Sequence, residues 1–226
     1  MEERRTSVIT YPEESRVSLL GKTYLLLTVG FITMAFGVGA GLQFLPMFAH
    51  LGKWGYLILS LVATVGTMFL ALLFQRNLLG YLFFLLLTFT VGFFDAPAVA
   101  VILQSPFLLE IFKEAALITA GVTGALSLFV LVTKKDFGFL GGFLFTGLVL
   151  VVIMAVVGLF WHNSLLNVVM SGMGALLFSG FILYDTSRLV NEKGTPVEIA
   201  IALFLDIINL FWSLFNLLVA LKGEER

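Results

Sequence analysis

Residues 165–221 read LLNVVMSGMGALLFSGFILYDTSRLVNEKGTPVEIAIALFLDIINLFWSLFNLLVAL. Two apolar runs, Leu165–Val190 and Val197–Leu221, flank a short polar link. Each is long enough to cross roughly 30 Å of hydrocarbon, which takes about 20 residues in a helix. So short a link, NEKGTP, makes the two helices antiparallel neighbours. Each run also carries one acid, Asp185 near the end of the first and Asp206 inside the second. At 1.5 Å per residue these lie roughly 8 and 13 Å from the shared end of the pair. Two carboxyl groups at similar depth on adjacent helices can meet.

The rest of the chain has the same character. Of its 226 residues, 60% are hydrophobic and 12% charged, with a mean hydropathy of +1.07. Soluble domains hold roughly 45–50% and about 25%. A globule of 24.8 kDa has too little interior to hide so much apolar surface. The sequence therefore describes an all-α integral membrane protein. Seven spans are expected, near Thr23–Leu45, Trp54–Phe74, Leu78–Val99, Lys113–Val132, Phe137–Phe160, Leu165–Val190 and Val197–Leu221. They divide the chain into an N-terminal segment (1–22), a bundle (23–221) and a short tail (222–226). Pro12, Pro46, Pro106 and Pro196 fall between spans or at their ends, and Pro97 is expected to break the third span. A net charge of −1 offers no footprint for nucleic acid, and the absence of Cys excludes disulfides, thiolate metal sites and cysteine nucleophiles.

Lysine and arginine orient the bundle. With the N-terminus in the cytoplasm, the inner side holds Arg4, Arg5, Arg16, Lys22, Arg76, Lys134, Lys135, Arg188 and Lys193. The outer side then holds Lys53, Lys113, Lys222 and Arg226. Trp54 and Trp161 fit an outer aromatic belt. The 22-residue start has no signal-peptide pattern, so the first span is expected to stay in the mature protein. Gly37, Gly39, Gly41, Gly121 with Ala125, and Gly138 with Gly142 read as sites of close helix packing.

Acids at membrane depth are costly and seldom idle. At 100° per residue, Asp206 shares a stripe with Glu198, Asn209, Ser213 and Asn216 on the seventh span, which makes that span the candidate central helix and those residues candidates to line a pathway. Asn167, Ser171 and Gly174 flank Asp185 on the sixth. Asp95, on the third, has no evident partner and is a further pathway candidate. Arg76 closes the second span on the same side as the two acids, within reach of either. Two carboxylates a few ångströms apart in low dielectric cannot both ionise cheaply, so they share a proton. The proton ties the helices together. Its loss pushes them apart unless a cation such as Arg76 or Ca²⁺ intervenes. A tight Ca²⁺ site needs about six to eight oxygens, so Asp185 and Asp206 suit weak, transit-type binding. Glu110, Lys113 and Glu114 read as a solvated helix start.

Three segments carry a resemblance: AGVTGALSLFVLVTKKDFGFLGG (120–142), FSGFILYDTSRLV (178–190) and LDIINLFWSLFNLL (205–218). In this order and spacing they resemble the Bax-inhibitor, or transmembrane Bax inhibitor motif, family. The TKKDF–FLGG stretch is most similar to a bacterial branch that interacts with a membrane-anchored AAA protease. The resemblance implies six helices around a central seventh, in a bacterial inner membrane. It implies a pH-sensitive Ca²⁺ leak channel. It also implies a proton-sensing acid pair at Asp185 and Asp206, latched by Arg76 in FQRNLLGY. Some channel-type members carry a Glu within the second span, where SLVATVGTMFLALL (60–73) has none, and Asp95 has no counterpart. The alternative is a non-conducting interaction protein that modulates the protease. An enzyme is not expected. Asp206 follows Leu203-Phe204-Leu205 where intramembrane aspartyl proteases have Gly-x-Gly-Asp, the only histidines are His50 and His162, and no phosphate-binding glycine motif appears. No cofactor is expected beyond Ca²⁺ as the permeating ion.

Overall fold

The computed structural model describes residues 13–160 and 164–223, with side chains from residue 18 onward. Most of the N-terminal segment, Trp161, His162 and the last three residues of the tail lie outside this set. Seven α-helices follow in order: α1 (Glu13–Gln43), α2 (Leu45–Leu73), α3 (Leu78–Gln104), α4 (Pro106–Thr133), α5 (Gly141–Phe160), α6 (Ser164–Val190) and α7 (Pro196–Gly223). A single 3₁₀ turn, Gly138–Leu140, leads into α5. All seven are long and apolar enough to span a membrane.

The bundle is built around α7, which has the largest buried share of any span. It packs against α1, α2, α3, α4 and α6. Helix α5 packs instead on α6 and does not reach α7. The main core joins Leu26 and Leu27 of α1, Phe84 and Leu87 of α3, and Leu203 and Phe204 of α7.

The tightest crossing is between α1 and α3. A Cβ on Gly37 or Gly41 would strike the backbone of Phe89 or Phe93, and one on Gly92 would strike the Met34 carbonyl. These glycines let the two backbones touch, which supplies dispersion contacts where lipid offers no hydrophobic drive. The other expected packing glycines differ. Gly39, Gly121 and Gly142 face open space, and Gly138 sits beside the Asp136 carboxylate.

Three boundaries differ from the sequence reading. First, α3 runs unbroken through Pro97 to Gln104. Proline removes one N–H and crowds the carbonyls a turn earlier, but the Tyr56 hydroxyl of α2 donates to the Phe94 carbonyl. That contact braces the turn beside Pro97 from outside, next to the Phe93 carbonyl that the proline leaves without its N–H. Second, α2 begins at Leu45, with Pro46 in its first turn, and changes direction at Gly52 (φ 63°), a conformation glycine tolerates. Phe48 anchors the segment before this break by packing on Tyr56, Phe93 and Phe94. Third, α4 starts at Pro106, because the Ser105 hydroxyl caps it by accepting from Leu108 N–H at 3.3 Å. Glu110, Lys113 and Glu114 therefore lie within α4, and Glu114 pairs with Lys222 at the far end of α7.

Candidate functional site: an acid pair between α6 and α7

The sequence YDTSR near the end of α6 spreads its polar groups in four directions within one helical turn. Asp185 faces Asp206 of α7, close enough for each carboxyl group to act on the other. The Thr186 hydroxyl lies 3.5 Å from that of Ser127 on α4. The Ser187 hydroxyl accepts from Phe137 N–H at 3.1 Å and donates to the Tyr184 carbonyl at 2.8 Å. Arg188 turns back toward Asp185 with an Nη1–Oδ1 distance of 2.8 Å, and its Nη2 binds Glu198 of α7. Asp185, Thr186 and Ser187 are all buried. A chain segment with this many polar groups is tolerable inside a membrane bundle because each finds a protein partner.

The helix after the link is positioned by its own start. Thr195, Pro196 and Glu198 form a capping sequence, in which the Thr195 hydroxyl accepts from Glu198 N–H at 3.2 Å. The same hydroxyl donates to Gln75 Oε1 at 2.7 Å in the α2–α3 turn. Glu198 is thereby fixed in the first turn of α7, opposite Arg188. Ten residues into α7 comes Asp206, 7% exposed against 4% for Asp185. Its Oδ2 is buried without a hydrogen-bond partner. An unpaired buried carboxylate oxygen is expensive.

Asp185, Asp206 and Glu198 thus converge as a single cluster. Arg76 is placed differently. It is exposed in the α2–α3 turn, and the guanidinium on the acids is that of Arg188. The physical reason is reach: Arg188 lies one turn beyond Asp185 on the same helix and faces the α7 start directly. Arg188 had counted in the sequence only as a topological charge. Its i, i+3 spacing from Asp185 was the available signal.

The remaining pathway candidates on α7 do not join the cluster. Asn209 is exposed, donates to the Leu205 carbonyl at 2.8 Å and borders a cavity between α2, α3 and α7. Ser213 packs where Gly174 of α6 leaves room. Asn216 faces a separate groove with Asn167 and Ser171. Asp95 does have a partner, accepting from Trp212 Nε1–H at 3.3 Å. Among the described residues no group of three or more His, Asp or Glu side chains is arranged to hold a metal. The acid pair offers two carboxylates only.

Outside the spans, one ion pair reinforces the same end of the bundle. Lys193, in the α6–α7 link, binds Asp136 of the α4–α5 connection at 2.5 Å. That contact, together with the Gly138 N–H, holds the Asp136 carboxyl below the usual carboxylate range.

Helices of membrane-spanning length packed round a central one, with paired acids buried where α6 meets α7, define a polytopic membrane protein organised about an intramembrane carboxyl pair. The family model described as inhibitor of apoptosis-promoting Bax1 matches residues 16–223, and the chain belongs to this Bax inhibitor family. It is 32% identical over 217 residues to a Golgi anti-apoptotic protein of vaccinia virus, covering 94% of this chain and 90% of that one. It is 39% identical over 132 residues to an uncharacterised protein of Campylobacter jejuni and 38% identical over 110 residues to an uncharacterised membrane protein of Vibrio cholerae. Those matches cover 58% and 46% of this chain. They span 57% and 49% of the relatives, about half their length.

Proposed function

We propose that the chain is a non-enzymatic, proton-regulated passive leak for Ca²⁺, controlled at the end of the bundle where α6 meets α7. One observation supports this reading above all: Asp185 and Asp206 are buried face to face across two helices, with a single guanidinium nearby that is already shared with Glu198. With a proton between them, the carboxyl–carboxylate hydrogen bond ties α6 to α7. Without it, three acids in one cluster answer to one cation, and repulsion loosens the contact. Ca²⁺ passing this point meets two carboxylates, enough for weak and transient binding. Arg188 takes the part of the latch.

The clustering of Lys22, Arg76, Lys134, Lys135, Arg188 and Lys193 at this end favours placing it, and the N-terminus, in the cytoplasm of a bacterial cell. The test is Ca²⁺ flux in liposomes reconstituted with the full chain, titrated with pH, for wild type, Asp185→Asn and Asp206→Asn. The expected result is a wild-type flux that varies with pH and variant fluxes that do not. No wild-type flux above empty liposomes, or an unaltered pH profile in both variants, would overturn the reading. The first of those outcomes would turn attention to a non-conducting partner of a membrane protease.

A further inference from the structure

Asp95 stands at the meeting point of two cavities that the acid pair does not share. One, of about 570 Å³, lies between α1, α3, α4 and α7. The other, of about 660 Å³, lies between α2, α3 and α7 and is bordered by Asn209. Asp95 and Trp212 line both. The first chamber is almost wholly apolar. Phe31, Phe112, Phe211 and Trp212 line it with Asp95, together with Thr119, whose hydroxyl donates to the Ala115 carbonyl at 2.7 Å, and Thr123, whose buried hydroxyl has no hydrogen-bond partner. Among the described residues Asp95 forms no ion pair with Lys, Arg or His, and the hydrogen bond it accepts comes from neutral Trp212.

A carboxylate within a bilayer without a counter-ion is costly. Two kinds of cation could relieve it. A hard metal ion would want about six to eight oxygens, and this chamber supplies one carboxylate and the hydroxyls of Thr119 and Thr123. An organic cation needs only one acid to set its charge, with aromatic faces and apolar walls for the rest. The volume is in the range of pockets that hold small organic ligands, roughly 300–1,000 Å³. We propose that this chamber binds a hydrophobic ammonium compound, with Asp95 as its counter-ion and Trp212 and Phe112 as its aromatic walls. The site is independent of the leak reading. Asp95 and Asp206 lie on different helices, and Trp212 is six residues beyond Asp206, roughly 9 Å along α7.

The experiment uses the full chain in lipid nanodiscs and two matched probes, phenylbutylammonium and uncharged phenylbutanol, measured by equilibrium binding against empty nanodiscs. Saturable binding of the ammonium is expected, at least about ten-fold tighter than the alcohol, and weakened by at least about ten-fold in Asp95→Asn. Gly124→Phe provides the second variant. Gly124 lines the chamber, and a Cβ there meets nothing within 4 Å, so the ring enters the cavity with Asp95 intact. It should abolish binding of the ammonium. Millimolar Ca²⁺ should not displace the probe. Equal affinity for amine and alcohol would overturn the proposal and assign the chamber to lipid tails. Undiminished ammonium binding in Gly124→Phe, or in a folded Asp95→Asn, would equally overturn it.

Discussion

Arg188 binds Asp185 from one turn away on the same helix, at 2.8 Å, and carries that contact across to Glu198 at the start of α7. The acid pair is therefore joined to the helix start by a guanidinium rather than isolated within the bundle. Removing one partner of a largely buried ion pair leaves the others uncompensated, which costs about 3–5 kcal/mol. Arg188→Ala is expected to destabilise the detergent-solubilised protein by about 3 kcal/mol, since the arginine keeps some solvent contact. Adding Asp185→Asn should recover part of that loss. A double-mutant cycle by chemical denaturation checks the coupling, and strictly additive losses would refute it.

Asp206→Asn is expected to act in the opposite direction. The amide keeps the shape of the carboxyl, removes a like charge beside Asp185 and brings donors to a site where Oδ2 now lacks a partner. Melting at about pH 8 should rise relative to wild type by the equivalent of about 1 kcal/mol. The gain should shrink as pH falls and the wild-type pair takes up its proton. A variant that melts lower than wild type at every pH would count against proton sharing.

The Asp136–Lys193 pair tests the polar end of the bundle outside the membrane. Its contacts hold the folded carboxyl below the ordinary range near 3.9. A depressed folded value means that the stabilisation is fully present above about pH 4 and is lost as pH falls through the lower folded value. Both side chains are about half exposed, so the effect is small, below about 1 kcal/mol, and screened by salt. NMR titration of Asp136 should give a midpoint below the usual value, moving upward in Lys193→Ala. An unchanged midpoint in that variant would show that the Gly138 N–H alone sets it.

Two glycines on crossing helices give a steric contrast. Gly92→Ala drives a methyl group into the Met34 carbonyl, and relief requires α1 and α3 to separate. A loss of about 1–3 kcal/mol is expected, as in other overpacked interiors. Gly39→Ala meets nothing within 4 Å and removes a flexible residue from a helix interior, which should gain up to about 1 kcal/mol. Thermal melts of the two variants in one detergent check both signs.

The seven spans were legible because hydropathy and length are strong, local signals. The pairing of Asp185 with Asp206 was legible for a related reason: a short link fixes two helices side by side, and depth then follows from the rise per residue. What sequence reasoning missed depended on rotation and on distant help. Arg188, rather than Arg76, reaches the acids because of the face it presents. The helix continues through Pro97, where Tyr56, 41 positions earlier, donates to the neighbouring Phe94 carbonyl from another helix. The early start of α4 was written in Ser105–Pro106, a cap followed by a first-turn proline, but the charges at Glu110, Lys113 and Glu114 obscured it. The stripe on α7 was real as a pattern, yet neighbouring helices divide it among four places.

The arrangement of α5 bears on how the protein sits in its bilayer. At 20 residues, Gly141–Phe160 is the shortest of the seven helices, about 30 Å long, close to the thickness of a hydrocarbon slab. Its companions, at 27 to 31 residues, overhang. Packed mainly on α6, and held to α2 only at one end by the Lys53–Leu159 and Trp54–Phe160 contacts, α5 is the stave that registers a thicker or thinner membrane first. Any tilt it takes up to restore the match is delivered to the helix that bears Asp185.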